Sequence, residues 1–188
     1  MNPLVGLSGF GTIVADPPWE VKQPPKKWTG KGNSPFDYPT MAVQEIAALP
    51  VAGCTADYCH LYLWTVNKHI ESAYDVCREW GFRPTMLLTW CKAPLGDGPG
   101  WEFSSCTEFV LFGKRGTGVW PRPKHVSRNW FDWPRGRHSQ KPEAFQDMVE
   151  SVSPGPRLEL FARRLRLGWT VWGNEVEANS PISINNPT

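Results

Sequence analysis

Residues 12–19 read Thr-Ile-Val-Ala-Asp-Pro-Pro-Trp, a short apolar run that ends in an acid and a stiff turn. Branched side chains from Thr12 to Val14 suit a buried strand, Thr12 to Asp16. The strand cannot pass Pro17 and Pro18, because each proline lacks a backbone donor and holds φ near about −65°. A buried strand whose last residue is ionisable is the pattern of an open parallel sheet, where chemistry gathers beyond the carboxyl ends.

The rest of the chain repeats that pattern. Tyr58 to Thr65, Thr85 to Lys92, Thr107 to Gly113, Arg157 to Phe161 and Trp169 to Gly173 read as further strands, rich in aromatic and branched residues. Between them, Ile70, Ala73, Tyr74 and Cys77 keep helical spacing, and Gly81 and Pro84 stop it. Phe145, Met148, Val149 and Val152 keep it again behind Pro142, which suits a first helical position. Met41 to Leu49 is a shorter helical candidate. Strands alternating with helices predict an α/β fold, a mostly parallel sheet with helices on both faces. We expect one domain over residues 1–177 and a frayed tail over 178–188.

Bulk properties narrow the class. No apolar run nears the roughly 18 residues that span a bilayer, and no secretory signal opens the chain, so a cytoplasmic protein without membrane contact is expected. The five cysteines form no C-x-x-C pair and mostly sit in apolar runs, so neither a metal site nor a disulfide framework is expected. The net charge of +2 is small, but its distribution is uneven. Lys114 to Lys141 holds eight Lys or Arg against the single acid Asp132, and Lys22, Lys26, Lys27 and Lys31 follow the Pro-Pro turn. Tryptophans (Trp28, Trp120, Trp130, Trp133) interleave with these cations. That mixture suits a surface that neutralises phosphates and stacks bases, the alternative being two solvated loops, for which indoles are apolar and costly. The segments between elements, roughly 20–39, 93–105 and 114–140, are also longer than connections need to be.

At the expected carboxyl edge stand Asp16-Pro17-Pro18-Trp19, Asn67, Lys92, Ala162-Arg163-Arg164 and Asn174-Glu175. Two prolines leave rigid carbonyl acceptors, and the aspartate adds more, so the turn suits an amine with two hydrogens to donate. Adenine N6 is such an amine, with a lone pair delocalised into its ring. Accepting both hydrogens helps that pair localise towards an electrophile. Trp19 is expected to stack on the base, which must leave any duplex to arrive there. Lys141, just before a helix start, opposes the helix dipole, and a carboxylate ligand would be drawn to it. No Ser-His-Asp arrangement, P-loop or H-E-x-x-H appears.

Taken in order, these motifs resemble the MTA-seventy (MT-A70) family of adenine-N6 methyltransferases. The resemblance rests on Asp16-Pro17-Pro18-Trp19, Tyr38-Pro39-Thr40-Met41, Leu61-Tyr62-Leu63-Trp64 and Trp90-Cys91-Lys92. It continues through Glu108 to Gly113, His138 to Pro142, Leu158 to Arg163 and Trp172-Gly173-Asn174-Glu175. It implies a Rossmann-like fold with permuted motifs, the catalytic tetrapeptide preceding the cofactor turn. It implies S-adenosylmethionine as cofactor, with S-adenosylhomocysteine as product. Asp16, Pro17, Pro18 and Trp19 would be catalytic, and Asp16, Lys141, Phe161, Arg163, Asn174 and Glu175 would hold the cofactor. Substrate contacts would fall to Trp19, Lys22, Lys26, Lys27, Trp28, Tyr38, Asn67, Lys92, Glu108, Arg135, Arg137, His138 and Lys141.

The sequence departs from the family in two places. Arg163-Arg164 stands where one arginine is usual, and Glu175 where glutamine is common. The compact form looks like bacterial or phage members associated with DNA, which places the chain in a bacterial or phage-infected cell. RNA as substrate, and a non-catalytic nucleic-acid-binding subunit, remain the alternative readings. A homodimer or a partner subunit stays open.

Overall fold

The computed structural model describes residues 4–20, 40–92, 102–117, 125–134, 136 and 140–173. Of the expected site residues, Lys22, Lys26, Lys27, Trp28, Tyr38, Arg135, Arg137, His138, Asn174 and Glu175 lie outside the described residues, as does the expected tail.

The strands are β1 (Phe10–Ala15), β2 (Thr55–Thr65), β3 (Arg83–Cys91), β4 (Thr107–Arg115), β5 (Trp130–Phe131), β6 (Arg157–Leu160) and β7 (Trp169–Trp172). They form one sheet in the order β5-β3-β4-β2-β1-β6-β7. Pairing is parallel between β1 and β2, β1 and β6, β6 and β7, and β3 and β5. Only β4 is reversed, antiparallel to both β2 and β3. This is the mostly parallel Rossmann-like arrangement the resemblance implies. Expected strand limits hold to within a few residues, and β5, a two-residue strand in the basic segment, is an addition the patterning did not reveal.

Side-chain alternation sorts the core into two layers. Ile13 and Ala15 of β1, Leu61 and Leu63 of β2 and Leu158 and Leu160 of β6 pack with Ala73, Val76 and Cys77 of α2 (Ile70–Glu79). Ile46 of the short α1 (Val43–Ala47) joins the same layer. Gly113 lets α2 lie close to β4, since a Cβ there would stand 2.9 Å from the Cys77 sulfur. The intervening residues, Val14, Tyr62, Trp64, Trp90 and Val110, face Phe145 and Val149 of α3 (Glu143–Val152). Pro142 stands just outside α3 as its N-cap rather than in its first turn. Burial pushes the Cys59 and Cys77 thiols up to about 12, as expected of inert core cysteines. No described helix is long and apolar enough to cross a membrane.

Candidate active site

β1 and β6 run side by side, with Ala15 opposite Leu160, so the turns that follow them are neighbours. Asp16 begins one turn and Phe161 the other, and the Asp16 N–H points to the Leu160 carbonyl at 3.5 Å. Phe161 has φ 61°, among the described residues the one non-glycine in left-handed backbone. Such a residue costs energy and persists only where its surroundings demand it. Here β7 holds it: the Ala162 N–H donates to the Trp172 carbonyl at 3.0 Å, and the Phe161 ring meets the Trp172 indole edge-on at 5.6 Å. Gly173 completes the fit, because a Cβ there would come 2.3 Å from the Ala162 oxygen.

Asp16 follows Ala15 on the strand and so turns to the α3 face, where it meets Lys141. The Lys141 ammonium lies 3.1 Å from Asp16 Oδ1 and 3.0 Å from Glu108 Oε2. Glu108 in turn takes Lys92 at 2.8 Å through Oε1. These four side chains, each 17% to 23% exposed, form one alternating chain of charge at the sheet edge. Burial works against the charge on Lys141, but Asp16 and Glu108 outweigh it and hold its pKa above the ordinary value. Burial likewise opposes the Glu108 carboxylate, and Lys141 and Lys92 overcome it, so its pKa lies below the usual range. Lys141 also sits over the Trp64 ring, 4.9 Å from its centroid. Its place before a helix start, unfavourable locally, is thereby explained: two carboxylates hold it there.

Glu108 stands near the beginning of its strand, yet the site lies at the carboxyl end of the others. The reversal of β4 resolves this, since it brings the amino end of β4 to the same edge. Alternation then puts Glu108 on the α3 face with Val110 and Phe112.

Trp19 departs from expectation. It is only 6% exposed, donates its indole N–H to the Trp64 carbonyl at 2.9 Å and stacks on His69 with centroids 5.4 Å apart. The indole therefore belongs to the core beneath the turn instead of being presented to a base. The two proline carbonyls are also partly engaged. Pro17 accepts the Trp19 backbone N–H at 2.8 Å and Pro18 accepts that of Met41 at 2.9 Å, each keeping a second lone pair.

Asn67 lies exposed in a 3-10 turn (Asn67–His69) after β2. Its neighbours, missed in the sequence, do more: His69 Nε2 and Lys68 Nζ meet the Glu20 carbonyl at 2.7 and 3.4 Å. They pin the chain where it leaves the Pro-Pro turn. Arg163 remains half-buried on the Phe161 turn. Arg164, the extra arginine, turns away to α3, where it pairs with Glu143 and donates to Gln146 at 3.0 Å. Glu159 was also missed. Burial, then the charge of Asp16, raises its pKa to about 7, and Gln146 donates to it at 2.7 Å.

An edge with an oriented aspartate, a lysine linking two carboxylates and a strained backbone turn can position a ligand pair and stabilise charge between them. Residues 10–175 match the MT-A70 family. The type II methyltransferase M.MunI of a Mycoplasma species is 34% identical over 94% of this chain and 82% of its own length. The N(6)-adenine-specific methyltransferase METTL4 of Mus musculus is 28% identical, over 94% of this chain and 40% of its own length. A putative N(6)-adenosine-methyltransferase MT-A70-like protein of Medicago truncatula is 27% identical, over 90% of this chain and 27% of its own length. The chain thus spans less than half of the mouse and plant relatives and most of the Mycoplasma one. With its whole described sheet inside the match, this chain belongs to the MT-A70 family.

Proposed function

We propose that this protein transfers a methyl group from S-adenosylmethionine to the N6 amine of adenine in DNA. The observation that carries the reading is the pairing of Asp16 with Lys141 beside the left-handed Phe161 turn. The donor set fits the cofactor: an acid and a half-buried arginine flank the turn, suiting its cationic and hydroxyl groups. When bound, the cofactor supplies an electrophilic methyl on a sulfonium.

Lys141 orients Asp16 through Oδ1, and Oδ2 is the oxygen we assign to one amine hydrogen. The remaining lone pair of the Pro17 carbonyl is assigned to the other. Holding both hydrogens lets the nitrogen turn pyramidal and withdraw its lone pair from ring conjugation, and Asp16 Oδ2 receives the proton that the amine gives up as it gains the methyl, so positioning and electrostatics supply most of the catalysis. Lys92 and Glu108 extend the polar edge towards the base. Trp19 acts as a positioning residue that fixes the turn from below. DNA is favoured because M.MunI, a type II methyltransferase, is 34% identical and matched over most of its length. Relatives named for adenosine methylation keep RNA as the second reading.

Labelled methyl transfer to duplex DNA, single-stranded DNA and RNA, each with and without adenine, tests this. Adenine-dependent label in DNA, lost in Asp16→Asn while the variant still unfolds in one cooperative thermal transition, is expected. Adenine-dependent label in RNA alone would select the second reading, and undiminished transfer by Asp16→Asn would overturn the assignment of Asp16.

A further inference from the structure

A cleft of about 780 Å³ opens on the α3 face of the sheet, towards the end opposite Asp16. Tyr62 and Phe112, with ring centroids 5.0 Å apart, are part of its floor, and Met86, 47% exposed, stands beside them. Met148 and Val152 of α3 form one wall, and the stretch from His125 to Asn129 forms the other. Lys114 and Arg128 line it, and among the described residues no Asp or Glu does. The nearby Asp132 reaches Arg128 at 3.7 Å, with both side chains about half exposed or more, which leaves the guanidinium available to a ligand.

The polar part of the floor is already satisfied. His60 lies between the Tyr58 hydroxyl at 3.1 Å and the Ser153 hydroxyl at 2.7 Å, and Tyr62 meets the same Ser153 oxygen at 2.7 Å. Burial, then the charge of Lys114, holds the His60 pKa down to about 4, so the floor is neutral at physiological pH. What remains for a ligand is mainly apolar surface edged by the cations and by Thr85, His125 and Ser127. Those cations already lie over rings: Lys114 is 5.7 Å from the Phe112 centroid, and Arg128 is 4.9 Å from that of Trp130. Aromatic surface with cations and no acid suits a base joined to a phosphate.

Position adds to the case. Glu108 and Lys114 lie on one strand and one face, six residues apart (114 − 108 = 6), which is about 20 Å of strand. Along B-form DNA, whose rise is roughly 3.4 Å per base pair, that is about six base pairs. We propose that the cleft holds a nucleotide of the substrate flanking the target adenine, its phosphate at Lys114 and Arg128 and its base, displaced from the duplex stack, against Phe112 and Met86. The inference rests on the nucleic-acid reading of the active site and adds a second anchoring point to it.

The test uses the full chain with S-adenosylhomocysteine and two fluorescent duplex DNAs centred on an adenine. One extends about three base pairs to each side, the other about ten. Affinity is measured by anisotropy at several salt concentrations. In Lys114→Ala/Arg128→Ala, the slope of log K against log salt for the long duplex should fall by about 0.9, for the one phosphate the two cations neutralise. The short duplex should show no change in affinity, nor in methyl transfer. Met86→Lys, a change at an exposed position, should steepen the long-duplex slope by about 0.9. Equal slopes in wild type and both variants would overturn the inference, as would an equal loss on both duplexes. A cleft that serves a protein partner or a second copy predicts the equal-slope result. Failure of methyl transfer by the wild type would count against the proposed reaction alone, because the binding slopes are read without turnover.

Discussion

Replacing Lys141 with methionine keeps the length of the side chain and removes the charge that joins Asp16 to Glu108. At an effective dielectric near 20, an ion pair at 3 Å carries about 5 kcal/mol of gross attraction, most of it offset by desolvation. Fully buried pairs broken on one side cost roughly 3–5 kcal/mol. The side chains here keep about a fifth of their surface in water, and Glu108 retains Lys92, so we expect a loss of about 2 kcal/mol. The loss should depend on pH with a definite sign. Glu108 has its folded pKa lowered, so its pairing adds stability above the ordinary carboxylate pKa and loses it as pH falls through the folded value. Urea unfolding of wild type and Lys141→Met at pH 7 and in steps below pH 4.5 should therefore show a gap that narrows with acid. Turnover at pH 7 should fall at least a hundredfold, since Asp16 loses the group that orients it. A variant within 0.3 kcal/mol of wild type and within twofold in kcat would refute this account of the site.

Trp19→Phe keeps an aromatic ring under the turn but deletes the N–H bonded to Trp64. It should cost about 2 kcal/mol by chemical denaturation and lower kcat more than it raises KM for DNA. Gly173→Ala should destabilise by roughly 1–3 kcal/mol and weaken S-adenosylhomocysteine binding by calorimetry, because its methyl would displace the Ala162 backbone. His60 and Glu159 should mask each other in stability against pH. His60, lowered to about 4, makes stability rise with pH between there and 6.5, while Glu159, raised to about 7, makes it fall from 4.5 upwards, each by about 3 kcal/mol at most. Thermal melts should thus gain stability with pH over that window in Glu159→Gln and lose it in His60→Phe; matching profiles in the two variants would contradict the assignment.

Much of this protein is local, and local features were readable. Apolar periodicity located six of the seven strands and the two longer helices, because burial on alternate or helical positions leaves its mark within a few residues. Asp16-Pro17-Pro18 had to be a rigid acceptor turn at the end of a strand, because two adjacent prolines allow little else. Lys141 stood out because it violated a local rule, and the pairing with Asp16 and Glu108 shows what outweighs that rule.

Other features depend on contacts far apart in sequence. The reversal of β4 is set by which strands it pairs with, and from that reversal alone Glu108 joins the active edge. Trp19 could face a base or the core with the same local sequence; Trp64, 45 residues away, supplies the carbonyl that draws it inwards. His60 and Ser153, separated by 93 residues, build a neutral floor that no motif announces. The sequence alone therefore determined six strands, the longer helices and the acceptor turn, since these follow from covalent geometry and short-range patterning, and its ordered motifs carried the resemblance to the family. Only the tertiary structure decided which side chains share a face, because strand direction and burial come from long-range pairing.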